Sequence, residues 1–125
     1  MYNQNMIISD RDIFLISFPK SGRTWLRLLL GKTLASHFGI ENINLLLLDE
    51  LAAACPKIPK IHVTHDDNPH WKRVDELSSH KIEYEGKKVI FLVRDPRDII
   101  VSNYFEKTNR EEMYYTGDRK YNGDL

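Results

Sequence analysis

Two short apolar runs, each followed at once by a polar loop and a helical pattern, constrain the fold of this 125-residue chain most strongly. Residues 13–18 form the first run, and a helix is predicted from Thr24 to about Phe38, where Gly39 provides a C-terminal stop. The second run, residues 89–93, precedes Asp95 and Pro96, which suit the cap and first turn of a helix reaching about residue 109. Such nearly continuous apolar runs are typical of strands covered on both faces of a parallel sheet.

The segment between these two strand–helix patterns predicts a third strand. Residues 60–64 read as a strand, and the ambiguous segment 45–54 favours a short helix, which prolines 56 and 59 close. Residues 66–87 are polar, with a possible helical turn around residues 71–77. Gly31 lies inside the first predicted helix and indicates close packing there. Alternating strands and helices predict an α/β fold, a parallel β-sheet flanked by helices with right-handed crossovers, in one domain over residues 1–125.

Charge balance, cysteine content and apolar run length limit the kinds of partner and environment expected for this protein. Lys plus Arg number 18 and Asp plus Glu number 18, so a general attraction to nucleic acid or an anionic membrane is not expected, and any anion site must be local. The single cysteine, Cys55, excludes an internal disulfide. No apolar run reaches the ~20 residues that span a bilayer, and no signal-peptide pattern is visible, so we expect a soluble, cytoplasmic protein with no membrane span.

The loop after the first strand has the chemistry of a phosphate site. It lies at the carboxyl edge of the predicted sheet, where the free N–H groups of a helix N-terminus bind anions. Gly22 permits close approach of the backbone, Lys20 adds a positive charge, and Ser21 and Thr24 add hydroxyl donors. The GxxxxGK[ST] pattern of nucleoside-triphosphate loops is absent, which argues against ATP with magnesium. The alternative is an ordinary strand–helix turn with a solvated lysine.

A second pair of residues follows the run at 89–93. Arg94 comes just after it, and Ser102 falls about two turns into the next predicted helix. Together they could bind a second phosphate, through a charged fork and a hydroxyl. The alternative is that Arg94 forms a surface ion pair with Asp98, which would contribute little to stability.

Together these segments resemble the family of sulfotransferases that use 3′-phosphoadenosine 5′-phosphosulfate (PAPS). The family's first loop typically reads Pro-Lys-Ser-Gly-Thr-Thr-Trp, and residues 19–25 match it except that Arg23 replaces a Thr. The family's second element is an Arg ending a strand and a Ser eight positions later, which Arg94 and Ser102 match. Asp98 and Tyr104 also occupy family-like places. The resemblance implies a P-loop-like fold of the sulfotransferase and nucleotide-kinase type.

The resemblance also implies roles for the residues of both motifs. The 5′-phosphosulfate side of PAPS would be bound by Lys20, Ser21, Gly22, Arg23, Thr24 and Trp25. Lys20 would also stabilise the leaving bridging oxygen, and Trp25 would lie against the adenine unless it is a core residue. Arg94 and Ser102 would hold the 3′-phosphate. No metal is required, and the acceptor would be a hydroxyl or amine on a small molecule or glycan.

A third motif contains the candidate for the general base that would deprotonate the acceptor. Many cytosolic members carry Lys-Thr-His with the His as general base; Thr64 and His65 match, whereas Val63 departs from the Lys and puts a secondary lysine contact in doubt. Two alternatives stay open: a carboxylate base at Asp66 or Asp67, and a His65 without a role.

The family extends well beyond this length, so the sequence is expected to be truncated and to comprise the N-terminal, donor-binding part of one sulfotransferase domain. Three functions are therefore weighed. The first is sulfuryl transfer from PAPS, although the chain alone is expected to be a poor enzyme. The second is a catalytically inactive fragment that binds PAPS or 3′,5′-adenosine bisphosphate (PAP), and the third is a small-molecule kinase. Acceptor identity and oligomeric state are not indicated by the sequence.

Overall fold

The computed structural model describes residues 12–110, and the side chains of residues 12–108. The chain divides into two compact units between Leu92 and Val93. Each unit is built from local elements that follow the sequence pattern closely.

Over residues 12–92, the first unit contains three strands and two helices. In chain order these are β1 (Ile13–Ser17), α1 (Arg23–Phe38), α2 (Leu48–Ala54), β2 (Ile61–Thr64) and β3 (Lys88–Leu92). Three single 3₁₀ turns lie between β2 and β3: Pro69–Trp71, Val74–Glu76 and Ile82–Tyr84. The predicted strands and the helix ending at Phe38 are confirmed, and Gly39 follows α1 in the left-handed conformation that a glycine cap favours (φ 64°).

The second unit begins with α3 (Pro96–Phe105), which continues as a π-helical turn over Glu106–Arg110. Asp95 caps α3, because its carboxylate accepts a hydrogen bond from the Arg97 backbone N–H at 2.9 Å. Arg97 also reaches back to the same carboxylate with its guanidinium. The predicted Asp-Pro helix start is therefore confirmed.

The three strands form one parallel sheet in the order β2-β1-β3. Leu15 of β1 pairs with Val63 of β2 and Ile90 of β3, so these side chains share one face of the sheet. The predicted parallel α/β architecture is confirmed, and β1 lies at its centre. Both loops that follow β1 and β2 therefore emerge at the same carboxyl edge.

Helices α1 and α2 pack with one face of this sheet in a single hydrophobic core. Leu15 and Leu51 are fully buried at its centre. Gly31 of α1 lies against the segment before α2, where an added Cβ would collide with the backbone carbonyl of Leu45. The close packing predicted at Gly31 is thus confirmed.

One sequence expectation about burial is wrong. The apolar run of β3 predicted a strand covered on both faces, but β3 pairs only with β1 among the described strands, and Phe91 is 67% exposed. In α1, the apolar residues that pack on the core are Leu26, Leu30 and Leu34, whereas Trp25 points away with 72% of its surface exposed. An apolar run therefore indicated the type of element and not how much of it is buried.

Within residues 12–110, no helix combines the length and apolar character needed to cross a bilayer. Over the same range, no three His, Cys, Asp or Glu side chains lie grouped as ligands for a metal ion.

Candidate active site

The loop between β1 and α1 is tightly wound. Lys20 adopts a positive φ of 66°, which costs energy for a residue with a side chain, and Gly22 has a φ of 96°, where glycine is strongly favoured. The Ser21 N–H donates to the Phe18 carbonyl at 3.3 Å, closing the turn. Turns of this kind gather backbone N–H groups around a concavity that suits an anion.

The N-terminus of α1 is left open by its own side chains. Gly22 occupies the cap position and cannot accept a hydrogen bond with a side chain, and the first turn contains no acidic residue. The first N–H groups of any helix have no partner within the helix, and they carry the positive end of its dipole. This end of α1 can therefore accept negative charge from a ligand.

Two buried hydroxyls at the loop strengthen this interpretation. Ser17, which ends β1, is 1% exposed, and Ser21 in the loop is 6% exposed. Neither Oγ atom has a hydrogen-bond partner in the part of the chain that the structure describes. An unsatisfied buried hydroxyl typically costs ~1–3 kcal/mol, so such groups call for a ligand or ordered water. The residues present fit a bound phosphate or sulfate oxygen.

Trp25 and Thr24 are exposed at the start of α1. The alternative in which Trp25 is a core residue is excluded by its exposure. Its ring is accessible near the N-terminus of α1.

His65 lies one residue beyond β2 and turns its ring towards the end of β1. Its Nδ1 atom is 2.7 Å from the carbonyl oxygen of Ser17. A carbonyl can only accept, so Nδ1 carries the proton, and the Nε2 atom of the neutral ring keeps its lone pair. The structure thus holds His65 in the tautomer that a general base needs, at the strand that leads into the phosphate-type loop.

The surroundings of His65 lower its pKa. Partial burial is the main cause, and the positive charge of Arg23 and the neighbouring ring of His70 act in the same direction, while the hydrogen bond to Ser17 opposes them. His70 meets His65 edge-on, with ring centroids 5.6 Å apart. The pKa of His65 is lowered even though two carboxylates, Asp66 and Asp67, follow it directly in the chain.

Both candidate carboxylate bases are engaged elsewhere. Asp66 accepts a hydrogen bond from the Tyr84 hydroxyl at 2.8 Å and pairs with Lys81 at 2.7 Å. Asp67 pairs with Lys72 and accepts from the Ser78 backbone N–H.

These contacts hold the pKa of both Asp66 and Asp67 below its usual range, although burial acts against this for Asp66. Both carboxylates stabilise the polar segment between β2 and β3. Because their oxygens are occupied by these contacts, His65 is the better candidate for a base.

His62 has a different environment from His65. Its Nε2 lies 2.8 Å from an oxygen of the buried Asp12 carboxylate, and its ring stacks on Phe14 at 5.1 Å. Phe14 also meets Tyr84 edge-on. These contacts make His62 a structural residue on the sheet face opposite Leu15.

Arg94 and Ser102 belong to the second unit. Arg94 follows β3 by two residues in the chain, and Ser102 is half-buried within α3. The Arg94 Nε atom lies 3.8 Å from an oxygen of Asp98, so the ion pair considered as an alternative is present, with both side chains largely exposed.

Two clefts elsewhere in the first unit contain none of the predicted site residues. One, of about 390 Å³, is lined by residues of α2 and by Asp12, and the other, of about 480 Å³, lies at the C-terminal end of α1.

Sequence reasoning missed Ser17, Arg27 and His70. Ser17 was read only as part of a strand, although its carbonyl accepts a hydrogen bond from the His65 ring. Arg27 donates to the Leu46 carbonyl and adds positive charge one turn beyond Arg23. His70, which shows no motif in the sequence and is expected at the surface, is exposed and meets the His65 ring edge-on. A parallel pairing of β1 with β2 that places Ile16 opposite Thr64 would have pointed to Ser17 as the neighbour of His65.

Fold and loop together define a parallel α/β protein in which the uncapped start of α1 follows β1 and a hydrogen-bonded histidine follows β2. The family model for the sulfotransferase domain matches residues 10–121. The chain therefore belongs to the sulfotransferase domain family, as its motifs indicated. No significant match was found among curated proteins or among solved structures.

Proposed function

We propose that the protein transfers a sulfuryl group from PAPS to a hydroxyl or amine of a small-molecule or glycan acceptor. Membership of the sulfotransferase domain family supports the reaction type. The donor and the residue roles rest on the motifs and on the geometry of the first unit. The proposal assigns to the protein binding, orientation and charge neutralisation, which carry most of the catalysis in such transfers.

The β1–α1 loop would bind the 5′-phosphosulfate in a P-loop-like manner. Support comes from the uncapped start of α1, the unpartnered hydroxyls of Ser17 and Ser21, and the left-handed backbone at Lys20 and Gly22. Lys20 would neutralise the charge that develops on the bridging oxygen, and Trp25 would cover the adenine. Carried over from the family motif, Arg94 and Ser102 would bind the 3′-phosphate.

His65 would act as the general base. The acceptor oxygen or nitrogen forms a bond to sulfur while the bond from sulfur to the bridging oxygen breaks, and its electron pair stays on the 5′-phosphate of PAP. The acceptor proton passes to Nε2 of His65, which the Ser17 hydrogen bond leaves with a lone pair. That hydrogen bond carries the proposal, because it joins the base to the strand that ends in the donor loop.

Nucleotide binding by the full chain tests the donor assignment. Isothermal titration with PAP, 5′-AMP and magnesium-ATP should give the tightest binding for PAP, because only PAP offers both phosphates. Arg94→Ala should remove the preference for PAP over 5′-AMP, since a charged hydrogen bond contributes ~1.5–3 kcal/mol. Lys88→Ala, on the exposed start of β3, is the matched control and should bind PAP normally. Equal binding of PAP and 5′-AMP by the wild type would refute the assignment, and a preference for magnesium-ATP would favour a kinase.

A further inference from the structure

Tyr84, at the end of the third 3₁₀ turn, contacts the residue that follows the candidate base. Its hydroxyl donates to an oxygen of the Asp66 carboxylate at 2.8 Å, across 18 positions of the chain. Its ring meets Phe14 of β1 edge-on, with ring centroids 5.0 Å apart. Burial and the neighbouring Asp66 carboxylate raise the pKa of Tyr84, so its hydroxyl remains a donor at neutral pH. Tyr84 therefore connects the Asp66 side chain to the central strand of the sheet.

Asp66 has a backbone conformation that neighbouring contacts must maintain. Its φ is 59°, in the left-handed region that is uncommon for a residue with a side chain. Its N–H donates to the Thr64 hydroxyl oxygen at 2.9 Å. Its second carboxylate oxygen pairs with the Lys81 amine at 2.7 Å, so Tyr84 and Lys81 each bind one oxygen. Three contacts thus hold this residue in a strained conformation.

The direction of the His65 ring depends on the backbone at Asp66, which follows it directly. The Nδ1 atom of His65 donates to the Ser17 carbonyl at 2.7 Å. In water, a neutral histidine favours the tautomer with the proton on Nε2, so this hydrogen bond holds the less common tautomer. A change of backbone conformation at Asp66 would move the ring away from Ser17 and would release that tautomer.

The contacts of Tyr84 and of His65 both end on β1. Tyr84 reaches this strand through the ring of Phe14, and His65 reaches it through the carbonyl of Ser17. Asp66 joins the two, because it follows His65 in the chain and accepts the Tyr84 hydroxyl. The four residues therefore form a closed chain of contacts on one strand, in which Tyr84 fixes the distance of the His65 backbone from β1.

We propose that Tyr84 is a positioning residue for the base: through the Asp66 carboxylate it holds the His65 ring on the Ser17 carbonyl, with the lone pair on Nε2. The catalytic consequence rests on the proposed function, whereas the effect on the tautomer is a property of the folded chain alone. Tyr84 gains and loses no proton in the reaction. It acts only by fixing which nitrogen of His65 can accept the proton of the acceptor.

Replacing Tyr84 by Phe tests this role, because the substitution keeps the ring and its contact with Phe14 and removes the hydroxyl. Nitrogen-15 NMR of the imidazole rings in the full chain reports the tautomer, and the His65 signals are those missing from His65→Gln. In the wild type we expect the proton on Nδ1. In Tyr84→Phe the ratio of Nδ1–H to Nε2–H should fall about tenfold, because a hydrogen bond to a charged group shifts a two-state population by roughly that factor.

Steady-state transfer from PAPS gives the catalytic readout. In Tyr84→Phe, kcat should fall by the same factor as the Nδ1–H fraction while PAP affinity stays unchanged, because only this tautomer can accept a proton at Nε2. Ser78→Ala is the matched control: it removes a hydroxyl that donates to the His80 carbonyl in the same polar segment, and it should change neither the tautomer nor kcat. Lys81→Met removes the other partner of Asp66, should shift the tautomer in the same direction, and serves as the second variant if Tyr84→Phe misfolds.

The outcomes separate this inference from the proposed function. An unchanged His65 tautomer in folded Tyr84→Phe and Lys81→Met would overturn the positioning role, and so would an equal shift in Ser78→Ala. A shifted tautomer with unchanged kcat would overturn its catalytic consequence. A wild-type chain that transfers nothing from PAPS, but whose tautomer shifts in Tyr84→Phe, would overturn the proposed function and support the structural part of the inference.

Discussion

Replacing His65 by Gln gives the sharpest test of the catalytic arrangement. The amide can still donate a hydrogen bond to the Ser17 carbonyl, as Nδ1 does at 2.7 Å, so the local structure should persist. The Gln amide cannot accept a proton at neutral pH, so the substitution removes the base while it retains the size and the hydrogen bond of the side chain. General-base catalysis typically contributes ~10²–10⁴-fold, which corresponds to about 3–5 kcal/mol of activation free energy.

The environment of His65 favours a loss of rate in the upper part of that range. When a base is removed, a neighbouring carboxylate can sometimes take over, but Asp66 is committed to Tyr84 and Lys81, and Asp67 to Lys72. Both have a pKa below the usual range, which makes them weak proton acceptors. We therefore expect kcat in His65→Gln to fall by ~10³-fold or more.

The assay is steady-state transfer from labelled PAPS across a pH series, with PAP affinity measured in parallel. The wild-type rate should rise with pH and level off, with a midpoint below the ordinary histidine pKa of 6.5, because burial and Arg23 lower the pKa of His65. PAP affinity should be nearly unchanged in His65→Gln, and the exposed His80→Gln is the matched control. Full activity in folded His65→Gln, together with loss of activity in Asp66→Asn, would refute the reasoning and identify a carboxylate base.

Three further changes test other parts of the structure. Lys20→Ala should weaken PAPS binding by ~10-fold or more without unfolding the chain, measured by titration. Gly31→Ala should lower the melting temperature in circular dichroism, because the Leu45 carbonyl occupies the space of the new Cβ and overpacking costs ~1–3 kcal/mol; an unchanged melting temperature would show that the helix shifts freely. His62→Ala should cost ~1–3 kcal/mol in chemical unfolding, because it removes a hydrogen bond to the buried Asp12, and kcat should stay close to wild type.

Local patterns in the sequence were sufficient to predict the elements and the loop between β1 and α1. The apolar run at 13–17, the glycine at 22 and the helical continuation to Phe38 act through neighbouring residues, so their positions follow from short-range sterics and hydrogen bonding. The Asp95 cap of α3 is of the same kind. The order of strands and helices likewise restricted the sheet to a parallel arrangement, which the structure confirms.

Contacts between residues far apart in the chain decided how the candidate site is built. His65 meets Ser17 across 48 positions, because β1 and β2 pair with Ile16 opposite Thr64. No local preference specifies that register, which depends on how the apolar faces of the two strands bury together against α1 and α2.

Contacts between residues far apart in the chain also decided which side chains are buried. The apolar run of β3 and the tryptophan of α1 are compatible with a core in sequence, yet Phe91 and Trp25 are exposed, because only one face of each element meets the shared core. The sequence by itself therefore determined the parallel α/β elements and the phosphate-type loop. The tertiary structure alone decided the tautomer of His65 and the engagement of Asp66, since each depends on groups that folding brings together from separate elements.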